Sequence, residues 1–101
     1  MAYFGEAIDG HLVSALGDDP ALLRELRRAF LDSATAMLDL MERARCDANW
    51  HVATERLEGL AASFHGGALI ALAQEARTGA PGDPAVLRRI RALLAEIDPD
   101  A

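Results

Sequence analysis

Asp18-Asp19-Pro20-Ala21-Leu22-Leu23-Arg24-Glu25-Leu26-Arg27-Arg28-Ala29-Phe30 carries the signal from which the fold is read. An acid able to accept from the first free amides stands before a proline whose missing N–H costs nothing in a first helical turn. Beyond it the positions Leu22, Leu26, Ala29, Ser33, Met37, Leu40 and Ala44 recur at spacings of three and four, with Leu23, Phe30 and Met41 beside them. The spacing predicts one long amphipathic helix over about 20–45, with that stripe facing inward.

Working outward, the same punctuation repeats. Asp47 or Asn49 can cap a second helix whose inward set is Trp50, Ala53, Leu57, Leu60, Ala61 and Phe64. Gly66-Gly67 interrupts it. Leu69, Leu72, Ala73 and Ala76 then mark a shorter helix closed by Gly79. Asp83-Pro84 repeats the cap and proline, and Val86, Leu87, Ile90, Leu93, Leu94 and Ile97 form the last stripe. Ahead of all four, Phe4, Ile8, Leu12 and Leu16 suggest a short N-terminal helix ended by Gly17. No segment alternates with period two. Short connections favour antiparallel neighbours, so the expected fold is all-α: an up-and-down four-helix bundle with an additional short N-terminal helix, one domain over 1–101 with its core at about 8–97.

Composition bounds the function. Of 101 residues 51% are apolar and 5% aromatic, and Ala and Leu dominate, a helix-forming mixture. The net charge is −6, and the ten basic residues, all Arg, are spread along the chain. No basic patch is available for a nucleic acid backbone. No apolar run approaches the roughly 20 residues of a membrane span, and no signal peptide opens the chain, so a cytoplasmic protein without nucleic acid or membrane partners is expected. The single Cys46 has no partner for a disulfide and no ligand spacing for zinc. Gly66-Gly67 lacks the strand and lysine of a phosphate-binding loop. No metal or cofactor is implied.

Three stretches in order resemble the histidine phosphotransfer (HPt) domains of bacterial two-component phosphorelays. Ala15-Leu16-Gly17-Asp18-Asp19-Pro20, running into Leu22, Leu23, Leu26 and Phe30, is similar to the start of that family's first long bundle helix. Glu55-Arg56-Leu57-Glu58-Gly59-Leu60-Ala61-Ala62-Ser63-Phe64 resembles its signature His-x-Leu-Lys-Gly followed by small residues and an aromatic. Ala68-Leu69 through Glu75, Ala76 and Arg77 to Gly79 resembles the helix that follows. The resemblance implies a phosphorelay signalling module whose partner is a response-regulator receiver domain, a histidine kinase or both. It also exposes a departure. Glu55 occupies the phosphoacceptor position and Glu58 the position of the accompanying lysine, while Leu57 and Gly59 stay in place. A carboxylate cannot replace an imidazole in phosphoramidate chemistry, so the resemblance implies docking without phosphotransfer and no enzymatic activity.

At 100° per residue the inward set lies within roughly 60° of Leu57. His51, Glu55, Glu58, Gly59, Ala62 and Gly66 fall opposite, on a face that is polar at its start and smooth beyond. This is the candidate partner-docking face. Gly59 marks it most sharply, because glycine inside a helix costs about 1 kcal/mol relative to alanine. Two other readings stay open: a working phosphotransfer protein using His51, one turn before Glu55, or His65; and a structural module that buries the Gly59 and Ala62 strip in a homodimer. His65, beside Gly66-Gly67, is read as a helix-terminal residue.

Overall fold

A computed structural model describes residues 19–98. They form four helices and no strand: α1 (Pro20–Arg43), α2 (Asp47–Ser63), α3 (Gly67–Thr78) and α4 (Pro84–Ile97). The expected N-terminal helix of Phe4, Ile8, Leu12 and Leu16 lies outside the described residues.

The helix ends follow the sequence chemistry in three places and depart from it in two. Asp19 accepts from the amides of Ala21 and Leu22 at 3.1 and 3.2 Å, and Asp83 from that of Ala85 at 2.9 Å, with Pro20 and Pro84 in the first turns behind them. Gly79 is the C-cap of α3. Neither Asp47 nor Asn49 caps α2; the cap is Cys46, whose side chain makes no capping bond, and Asp47 becomes the first helical residue. At the other end of α2 the amide of Gly66 donates to Ala61 O at 2.8 Å and that of His65 to Ala62 O at 3.2 Å, the paired bonds of a left-handed helix stop. The left-handed residue is His65, at φ 57°, not one of the two glycines that follow it.

The helices make a ring: α1 packs on α2, α2 on α3, α3 on α4, and α4 back on α1. At the ring's centre lie Phe30, Met41, Trp50, Leu57, Leu69, Ile90 and Ile97, all essentially inaccessible to solvent. Trp50 satisfies its indole by donating Nε1–H to Ala76 O at 2.8 Å, tying the start of α2 to the last turn of α3. Phe64, just past α2, packs on Phe30 with ring centroids 4.8 Å apart.

The inward sets expected for α2, α3 and α4 face the core, with Leu60, Phe64, Leu72 and Leu93 partly buried at its margin. The α1 helix turns its expected stripe to the margin of the core, with Leu26, Met37, Leu40 and Ala44 partly buried there. Its buried residues are Phe30, Leu31, Ala34, Leu38 and Met41, while Leu22, Ala29 and Ser33 are exposed. The buried arc is turned by one residue, roughly 100°, from the expected stripe. An Ala- and Leu-rich helix carries apolar residues over more than one face, and periodicity alone does not select the one that meets both α2 and α4.

Among the described residues, cross-helix ion pairs span three of the four grooves. Glu58 and Arg77 bridge α2 and α3; Glu75 and Arg89 bridge α3 and α4; Arg91 meets Glu42 across α4 and α1, and Arg28 meets Asp98, which follows α4. No helix among the described residues is long and apolar enough to cross a membrane.

Candidate functional site

The outward face of α2 is built by simple subtraction. With Trp50, Ala53, Leu57 and Ala61 committed to the core, the helix must present His51, Glu55, Gly59 and Ala62 on its far side, and all four are exposed. His51 and Glu55 stand one turn apart with no hydrogen bond or ion pair between them. The His51 carbonyl accepts from the Thr54 hydroxyl at 2.9 Å, which satisfies a buried threonine. Among the described residues Glu55 has no ion pair, and its exposed carboxylate is turned to solvent.

Gly59 is the most informative position. A methyl group built there meets nothing within 4 Å. No neighbouring helix among the described residues therefore needs its missing side chain, although its carbonyl accepts from the Ser63 hydroxyl at 3.0 Å. Exposed Ala62 continues the low surface beyond it.

Two members of the expected face are placed elsewhere. Gly66 is buried, because its amide is spent on the helix stop at Ala61 O and it serves as the N-cap of α3. Glu58 leans into the α2–α3 seam with its side chain only 22% exposed. There Oε1 lies 2.7 Å from Arg77 Nη1, out of line for a hydrogen bond, so the contact is electrostatic. Oε2 accepts from Gln74 Nε2 at 3.0 Å. Glu58 is thus a compensated structural charge, and its repulsion toward an incoming anion is largely cancelled by Arg77. The face reduces to His51, Glu55, Gly59 and Ala62.

No protein-family model, curated protein or solved structure matches the chain.

Among the described residues no three His, Cys, Asp or Glu side chains converge as metal ligands would. His65 ends α2 instead of completing a group with His51. Two features on the α1 side of the same helix escaped the sequence reading. Val52 is 46% exposed, one of two large apolar residues so placed among the described residues, and Arg56 sits one turn further on. The signal was present: at 100° per residue Val52 lies well outside the inward arc of α2, where a β-branched apolar residue has no core to fill.

Proposed function

We propose that this chain is an HPt-like docking module of a two-component phosphorelay, presenting the outward face of α2 to a response-regulator receiver domain or a histidine kinase without accepting a phosphoryl group. The reading takes the ring as an antiparallel up-and-down bundle. Two contacts support that direction: Arg28, early in α1, meets Asp98 after the end of α4, and Glu42, near the end of α1, meets Arg91 further back along α4.

The observation that carries the reading is Gly59. It sits in the middle of a 17-residue helix, exposed, and nothing within the described residues needs the space it leaves. The cost of about 1 kcal/mol is then offset by an approach from outside. Glu55, one turn earlier, places a fixed negative charge where phosphohistidine would form. It is a partial mimic, because a carboxylate carries one charge and a phosphoryl group closer to two.

The experiment is a chemical-shift titration against the receiver domains of the same organism. A cognate receiver should shift the amides of His51, Glu55, Gly59 and Ala62, and Gly59→Arg should remove that binding. Unchanged binding of every receiver by Gly59→Arg would remove the proposed face. In parallel, a labelled phosphorylated receiver should leave no acid-labile label on this chain; label lost in His51→Gln would establish phosphotransfer through that residue.

A further inference from the structure

The four grooves of the ring are not alike. Ion pairs cross the α2–α3, α3–α4 and α4–α1 grooves, whereas none among the described residues crosses the α1–α2 groove. That groove holds an open cavity of about 370 Å³; the cavities of about 510 and 500 Å³ along the α3–α4 and α4–α1 grooves are each lined by ion-paired side chains. The floor of the α1–α2 cavity is apolar, made by Leu40 and Ala44 of α1 and by Val52 and Ala53 of α2. Arg43 and Arg56 stand at its edges. Among the described residues Arg43 pairs with Asp39 of its own helix, at 2.9 Å, and both side chains are more than half exposed. The exposed Arg56 side chain makes no ion pair or hydrogen bond among the described residues.

An apolar floor edged by guanidinium groups, on an otherwise acidic molecule, is complementary to an apolar stripe flanked by carboxylates. We infer that the α1–α2 groove is a docking site for an acidic amphipathic helix of a partner protein, whose apolar residues cover Val52 and Leu40 and whose carboxylates meet Arg56 and Arg43. A second copy of this chain is a poorer occupant, since association would bring two surfaces of net charge −6 together. The inference does not rest on the receiver reading. Val52 borders the outward face, but Leu40 and Ala44 of α1 belong to the groove alone, so shifts of their amides separate the two sites.

The test uses the full chain and two synthetic helical peptides of about 14 residues, roughly 21 Å long. Both carry leucines at spacings of three and four; one has glutamate at the flanking positions and the other lysine. The glutamate peptide is expected to bind with a Kd below about 1 mM. It should shift the amides of Leu40, Ala44, Val52 and Arg56 and weaken as salt is added. Arg56→Glu should lower its affinity about tenfold, the result of removing one exposed attraction and installing a repulsion. Arg88→Glu, an exposed charge change on α4, should leave it unchanged. Equal binding of the lysine peptide, shifts confined to another groove, or no binding at about 1 mM overturns the inference. So does a dimer of the free protein with Val52 in its interface.

Discussion

Replacing Gly59 by alanine separates the two explanations for a glycine in the middle of α2. A Cβ at this position meets no atom of the described residues within 4 Å, so the substitution introduces neither a clash nor a new buried contact among them. What remains is backbone: alanine loses less conformational freedom on entering a helix, a gain of about 1 kcal/mol. That corresponds to a melting temperature about 4–8 °C higher for a domain of this size. Urea denaturation followed by circular dichroism should show the same gain as a later midpoint with an unchanged slope. Docking should move the other way, weakened by the alanine methyl and abolished by the longer side chain of Gly59→Arg. A stabilised protein that binds less well would identify the glycine as one retained for approach by a partner. A neutral or destabilising Gly59→Ala refutes the reasoning, since the glycine would then be required by the chain itself.

Three further substitutions probe the frame around that face. His65 sits at φ 57°, so His65→Gly should be more stable than His65→Ala by about 1 kcal/mol in thermal melts, both variants having lost the imidazole equally. Trp50→Phe removes the bond to Ala76 O and leaves part of the indole volume empty; a loss of about 2–3 kcal/mol is expected by urea titration, with α2 and α3 losing amide protection first. For Glu58 and Arg77, a double-mutant cycle to Gln and Met should give a coupling of about 0.5–1 kcal/mol, reduced by salt. No coupling at low salt would mean that the pair is incidental.

How much of this could be read in the sequence depended on how many elements a residue serves. Asp19-Pro20 and Asp83-Pro84 act locally, on amides two and three residues away, and both caps formed as the sequence indicates. The inward arcs of α2, α3 and α4 were legible because each helix has a single apolar face. In α1 the arc was displaced by one residue, since Leu26, Met37 and Leu40 compete with Phe30, Leu31 and Leu38 and only the position of α4 decides between them. The surplus stripe is not idle, because Leu40 and Ala44 became the floor of the α1–α2 groove. Glu58 and Gly66 were misplaced for a related reason. Angle around α2 puts both away from Leu57, but Arg77 and Gln74 on α3 draw Glu58 into a seam, and the helix stop turns Gly66 inward.

Glu58 also changes what the chain's avoidance of lysine means. All ten basic residues are arginine, so a bias against lysine predicts arginine at the cationic position of the resembled motif. Glutamate there looks, on the sequence, like a reversal of charge on the face. In the structure a guanidinium nevertheless stands beside position 58: Arg77 supplies it from α3, with 35% of its side chain exposed, and Glu58 neutralises it. The α2–α3 seam therefore contributes little net charge, and the field over the outward face is set by Glu55, with exposed His51 one turn before it. On the proposed reading, the acceptor position is then the decisive loss for chemistry and position 58 a secondary one. Returning histidine at position 55 alone would leave Arg77 committed to Glu58 and still unavailable to an incoming phosphoryl group, so the charge pair and the missing acceptor have to be considered together.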